Sequence, residues 1–244
     1  MSKLASIITI ASGLVLLAFM FGGNAQAQVW ENLPGQAKDI AAGGDSTDVV
    51  WVIGRDDSAF KWNEDSFTWQ TYGGKADIIA VETSGIPWVV NNGQIYRLRG
   101  QTWQNMPGEA VAIAAGGNEV WMIDRKGETH KWNDDSWSWQ NYGGKAQKIA
   151  VDSNGIPWVI NNEQVYRLRG QTWQNMPGKV RAIAAGGGQV WAVGESFNVF
   201  QWNDDAYSWR NVAGNARLIA VGGTGTPYVL QQTGTQVYRL RGWK

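Results

Sequence analysis

The chain has 244 residues, 21 Lys+Arg against 21 Asp+Glu, no cysteine, one histidine, 31 glycines and 16 tryptophans. Without cysteine there is no disulfide scaffold, Cys-ligated zinc, iron–sulfur cluster or thiol nucleophile. One histidine leaves no multi-His metal site and at most one imidazole base, and zero net charge gives no electrostatic footprint for nucleic acid.

Residues 1–27 hold the strongly apolar run. Lys3 precedes an apolar stretch from Leu4 to Phe21, and Ala25-Gln26-Ala27 is an A-x-A pattern ahead of Gln28. The pattern reads as a secretory signal peptide cleaved after Ala27. The alternative is a retained N-terminal anchor, because 18 residues approach spanning length. Cleavage removes Lys3 and no acid, which leaves a net charge of −1. The expectation is a secreted or periplasmic domain over 28–244, with no membrane insertion after cleavage.

The remaining chain repeats. Arg97 to Gly108 recurs unchanged at 167–178, and Lys61-Trp62-Asn63-Glu64-Asp65-Ser66-Phe67 returns at 131–137 and 201–207. Equivalent tryptophans stand at 30, 69, 103, 139, 173, 209 and 243, with spacings of 39, 34, 36, 34, 36 and 34. The period is therefore about 35, and there are six units. Within each unit a Gly-bearing turn follows the marker tryptophan. Four short β-branched or aromatic runs come next, split by Gly, Asn, Asp and Pro. No stretch of 28–244 sustains a helical period.

Six four-stranded units imply an all-β fold, a six-bladed β-propeller. A β-trefoil would need only three units of this length. Because Val29-Trp30-Glu31-Asn32-Leu33 is long enough for an outer strand and Trp243-Lys244 is not, the N-terminal strand is expected to close the ring beside Val237-Tyr238-Arg239-Leu240. Closure would remove an exposed edge.

The unit W-x-x-[LM]-P-G-x-[AV]-x-x-I-A, followed by V-W-x-[VI] and [IV]-Y-R, resembles the tectonin repeat of the tachylectin and fish-egg-lectin type. Trp103-Gln-Asn-Met-Pro-Gly, Ile113-Ala114 and Val120-Trp121-Met122-Ile123 carry it in one unit, Trp88-Val89-Val90-Asn91 and Ile95-Tyr96-Arg97 in another. The resemblance spans about 29–243. It implies a six-bladed propeller and, as in lectin members, recognition of cell-surface glycans, including lipopolysaccharide and methylated sugars. Other members are protein-interaction modules. The asparagine after the strand Trp is kept as Asn91 and Asn161, but the other units have Gly54, Asp124, Gly194 and Gln231.

The candidate ligand-binding residues fall in two groups. The first is the odd-unit sets Trp62, Asn63 and Asp65; Trp132, Asn133, Asp135 and Trp137; Trp202, Asn203 and Asp205. Even units have Leu98-Arg99-Gly100-Gln101-Thr102 there, two residues shorter. Aromatic rings stack on sugar C–H faces while amides and carboxylates meet hydroxyls. The competing reading is turn chemistry, since Asn and Asp cap their own backbone. Clustered oxygens also suit Ca²⁺, although the spacing is not that of an EF-hand loop, and no cofactor is expected. The second group is Asn91, Asn92, Asn161 and Asn162, amide pairs or simple turn residues.

The strand aromatics Trp51, Trp88, Trp121, Trp158, Trp191 and Tyr228 recur in all six units and are read as packing. So is His130, whose equivalents are Phe60 and Phe200. Arg97/Arg99, Arg167/Arg169 and Arg239/Arg241 alternate with Leu on one strand face, as solvated or salt-bridged surface, or alternatively as guanidinium contacts for phosphate or acidic sugars. The sequence offers no unique acid–base pair to line the central channel, so the expected function is multivalent glycan binding without catalysis, through three or six blade-edge pockets. The alternative is an interaction scaffold docking an envelope protein.

Overall fold

The computed structural model describes residues 28–242. The signal-peptide expectation and marker Trp243 lie outside the described residues. Twenty-one strands and no helix make up the described chain.

The strands pair into six four-stranded antiparallel sheets, each a meander from an inner to an outer strand. Unit 1 takes the second half of β1 (Val29–Gly43) with β2 (Val49–Gly54), β3 (Ala59–Asn63) and β4 (Thr68–Gly73). Unit 2 is β5 (Ile78–Val81), β6 (Pro87–Asn91), β7 (Gln94–Arg99) and β8 (Thr102–Glu109). Unit 3 is β9 (Ala112–Gly116), β10 (Glu119–Ile123), β11 (Thr129–Asn133) and β12 (Ser138–Gly143). Unit 4 is β13 (Lys148–Val151), β14 (Pro157–Asn161), β15 (Gln164–Arg169) and the first half of β16 (Thr172–Gly186). Unit 5 runs from the second half of β16 through β17 (Gln189–Gly194) and β18 (Asn198–Asn203) into β19 (Ser208–Val221). Unit 6 runs from the second half of β19 through β20 (Pro227–Gln231) and β21 (Gln236–Arg241). Its outer strand is the first half of β1, with Trp30 opposite Leu240 and Leu33 opposite Val237.

The core lies between the sheets. Each of six apolar clusters is drawn from two neighbouring units, and one of them joins Leu33, Ile40 and Val50 to Tyr228 and Leu230. The packing is that of a β-propeller, in which each sheet buries one face on the unit before and one on the unit after. The inner strands surround a central channel of about 340 Å³.

The marker tryptophans tie neighbouring units. Trp69, Trp139 and Trp209 donate their indole N–H to the carbonyls of Pro34, Pro107 and Pro177 at 2.5, 2.8 and 2.8 Å. The glycine after each proline has positive φ, +86° at Gly108, and a Cβ there would stand 3.1 Å from the Trp139 ring. The Pro-Gly signature thus serves both the left-handed backbone and the close indole.

The meander puts two kinds of connection on opposite faces. The turns between inner and second strands share one face with the turns between third and outer strands. The turns between second and third strands share the other face with the links into the next unit.

Candidate functional site

The odd-unit turns after β3, β11 and β18 stand on the first face. Their tryptophans do not form ligand walls, and this corrects the sequence expectation. Trp62, Trp132 and Trp202 are only 5–7% exposed. Each pairs its indole N–H inside its own turn, with Glu64 at 2.6 Å, Asp134 at 2.9 Å and Asp204 at 2.8 Å. The turn reading wins for the asparagines. Asn63 Oδ1 accepts from the N–H groups of Asp65 and Ser66, Asn133 Oδ1 from Ser136 and Asn203 Oδ1 from Ala206. Asp65, Asp135 and Asp205 remain exposed.

What these turns do present is a second aromatic. Phe67, Trp137 and Tyr207 are exposed by 46, 41 and 42% and have φ of 54°, 52° and 48°. A left-handed backbone is unfavourable for bulky side chains. Here it turns each ring outward, with its edge on the buried tryptophan beneath at centroid distances of 5.4, 5.2 and 5.2 Å. Sequence reasoning selected Trp137 but missed Phe67 and Tyr207, although the shift of 70 marks all three as equivalent. Trp132, Asn133 and Asp135 also line a cleft of about 240 Å³ between units 2 and 3, together with Arg97 and Lys131.

Arginines explain why the odd turns carry an acid. Arg97, Arg167 and Arg239 are nearly buried, with side chains 13, 15 and 8% exposed. Arg97 lies over Trp88 at 5.2 Å and Arg167 over Trp158 at 4.9 Å. Each reaches into the next unit's turn: Arg97 to Asp134 at 3.3 Å, Arg167 to Asp204 at 3.7 Å, Arg239 to Glu64 at 2.8 Å. Each also has a second acid, Glu82, Asp152 or Glu31. Burial alone would raise the Glu31 carboxyl, but hydrogen bonds from Arg241 and Arg239 hold it below the usual carboxylate range. Arg99 and Arg169 are the exposed members of their pairs.

The asparagine pairs stand on the opposite face and do not join the odd-unit sets. Asn92 and Asn162 have φ of 50° and 48°. Their backbone N–H groups donate to Asp77 Oδ2 and Gln147 Oε1, both at 2.8 Å. Asn91 lines a separate depression of about 220 Å³ with Lys75, Tyr96 and Trp103, and Asn161 is half-buried at the equivalent place.

On that face His130 is more than packing. Its Nε2 lies 3.1 Å from Asp124 Oδ2. In units 1 and 5 a phenylalanine ring covers a glycine instead, and a Cβ on Gly54 or Gly194 would stand 2.8 or 2.7 Å from Phe60 or Phe200. Unit 3 fills that space with an imidazole and a carboxylate. Asp124, Glu128 and His130 offer potential ligand atoms within 4.8 Å of one another, so the residues grouped for a metal are these and not the odd-turn oxygens. Burial opposes ionisation of Asp124, yet the Glu128 and Lys126 amides and His130 hold its carboxyl below the usual range. Asn141 and Lys145 pair with Glu128.

The channel also differs from expectation. Asp39 and Lys148 both line it, an acid and a base that the other units lack at the equivalent position. Burial pushes the Asp39 carboxyl up to about 6, against the Ile79 N–H that it accepts at 2.9 Å.

A Tectonin domain matches residues 75–244. Tectonin-2 of Physarum polycephalum is 32% identical over 73 residues, 29% of this chain, and the match covers 20% of that protein. Among solved structures, a Bacteroides thetaiotaomicron protein of unknown function aligns with a TM-score of 0.67 at 11% identity, over 86% of this chain and 71% of its own. A gluconolactonase from Xanthomonas campestris aligns at 0.66 and 12%, over 88 and 90%. The WD40 propeller domain of Doa1 aligns at 0.60 and 13%, over 88 and 95%. At these identities the likeness is one of fold. The domain match extends over more than half of the sequence, and the chain belongs to the Tectonin family.

Proposed function

We propose that this protein is a multivalent carbohydrate-binding protein, acting without catalysis on cell-surface glycans or lipopolysaccharide from a secreted or periplasmic location. The observation that carries the reading is the threefold set of exposed rings, Phe67, Trp137 and Tyr207, held outward on one face. An aromatic face beside a free carboxylate, here Asp65, Asp135 or Asp205, offers stacking for sugar C–H groups and an acceptor for hydroxyls. Such shallow sites bind singly with modest affinity. Three on one face gain avidity on a surface that repeats its epitope. Membership of the Tectonin family supports the reading, since its lectin members bind glycans.

Binding to immobilised glycans and lipopolysaccharide, with and without Ca²⁺, tests this. Phe67→Ala, Trp137→Ala and Tyr207→Ala are each expected to weaken apparent affinity by about tenfold or more, because each removes one of three linked contacts. The triple variant should not bind and should remain folded. Undiminished binding by the triple variant would move the sites elsewhere. A folded protein that binds no glycan would sink the proposal.

A further inference from the structure

The seams that lead from an odd unit into the next even unit share a stem position. Val49, Glu119 and Gln189 open β2, β10 and β17, and each packs on a turn glycine of the following unit. A Cβ on Gly85, Gly155 or Gly225 would stand 3.2 Å from Val49 Cγ2, 2.6 Å from Glu119 Cγ or 3.0 Å from Gln189 Nε2. Beside the stem lie the strand tryptophan and one residue of the third strand.

The tip of the stem residue differs, and the third-strand residue is Lys61, Lys131 or Gln201. In unit 5, Gln189 Oε1 accepts from Trp191 Nε1 at 2.9 Å and from Gln201 Nε2 at 3.0 Å. In unit 3, Glu119 Oε1 accepts from Lys131 Nζ at 2.6 Å. In unit 1 the tip is a valine methyl, which accepts nothing. Lys61 therefore has no acidic partner among the described residues. Trp51 is 2% exposed, and its indole N–H is buried without an acceptor. Trp51 and Lys61, with Tyr72, Leu98 and the Ser84–Pro87 turn, line a cleft of about 360 Å³ between units 1 and 2. A buried N–H without an acceptor is costly, and an incoming oxygen would relieve it.

We propose that this cleft is an anion subsite. It takes a carboxylate, or a phosphate ester, through the Trp51 indole N–H and the Lys61 ammonium. An ammonium and a directed N–H together favour an anionic oxygen over a neutral hydroxyl. The subsite deepens the carbohydrate reading by selecting acidic sugars, and it breaks the threefold symmetry of that face. The parent ligand rests on that reading, whereas anion binding itself does not.

The test is titration of the full chain with inorganic phosphate and, separately, acetate, following the indole N–H resonance of Trp51 by NMR, assigned with Trp51→Phe. A saturable shift of that resonance is expected. Val49→Glu copies the unit 3 arrangement, gives Lys61 an internal carboxylate and should weaken binding by about tenfold or more, as should Lys61→Met. Glu119→Val should create a second responsive indole, Trp121. Phosphate alone, acetate alone, or both would support the subsite and distinguish its ligand chemistry. Response to neither anion, or full binding by folded Val49→Glu, would overturn it. Both results are independent of the Phe67, Trp137 and Tyr207 variants, so failure of one proposal is distinguishable from failure of the other.

Discussion

Two kinds of seam alternate around the ring. From even to odd units, a buried arginine stacked on Trp88 or Trp158, or placed beside Tyr228, crosses to the acid of the next turn. The buried Trp62, Trp132 and Trp202 close the space below with their N–H groups paired. From unit 1 to 2 and from unit 3 to 4, no arginine among the described residues crosses in this way. Trp51 and Trp121 pack on Tyr72 and Tyr142 at 4.6 and 4.7 Å, but their indole N–H groups find no partner. One seam type is closed by charge-assisted bonds, and the other leaves donors at a cleft. A near-perfect 70-residue repeat therefore encodes two interfaces, one crossed by ion pairs and one that, between units 1 and 2 and between units 3 and 4, leaves an indole N–H unpaired.

The sharpest way to break this contrast is at the closing seam between units 6 and 1. Arg239 is 8% exposed at its side chain and holds both Glu31 and Glu64 at 2.8 Å. Arg239→Met removes the buried cation between Glu31 and Glu64, leaving them only the more exposed Arg241, and is expected to cost about 3 kcal/mol. Urea denaturation would measure it, and a loss no larger than that of an exposed pair would remove the claim that arginine holds these seams.

A second variant probes the inner end of the seam between units 1 and 2. Asp39 accepts from Ile79 across it, and unit 3 and unit 5 have Ala112 and Ala182 in its place. The folded pKa of about 6 lies above the ordinary aspartate value of 3.8. The native state therefore binds the extra proton between these values. The stability from that proton is complete below about pH 4 and is lost as pH rises through about 6. Asn keeps the acceptor without the charge. Asp39→Asn is expected to stabilise by roughly 1–2 kcal/mol at pH 8 and by little at pH 4. Thermal midpoints across pH would show a difference that closes on acidification, and a constant difference would contradict the assignment.

The smallest expected effect is the most direct comparison of odd seams. Trp51→Phe and Trp191→Phe lose the same buried ring volume, but only Trp191→Phe deprives Gln189 of a donor, so it should cost about 1 kcal/mol more. Equal losses would mean that the two indoles do not differ in the way described.

Much of this was legible in the residues. The 35-residue period, the all-β character and the strand runs follow from short-range pattern, because strand alternation and turn residues act over a few positions. The seven marker tryptophans located the units, and their packing role follows from recurrence in every unit. The candidate site was less legible. Trp62 and Phe67 are both aromatic residues of one turn, and composition cannot say which ring is buried. The backbone decides it, since positive φ at Phe67, Trp137 and Tyr207 sends those rings outward. His130 was read as packing from its phenylalanine equivalents, and the change of Gly54 to Asp124 was the available sign of a polar partner.

The sequence by itself determined how many units there are, what each is made of and where its turns fall. It also determined that units alternate, because the odd turns are two residues longer. Only the tertiary structure decided which polar groups are spent. Arg97 meets Asp134 and Arg239 meets Glu64 across 37 and 175 residues. Asp124 answers His130, and nothing answers Trp51. Hydrogen bonds are satisfied in space and not along the chain, so the free donors and exposed rings that define a binding face emerge only once the units are packed.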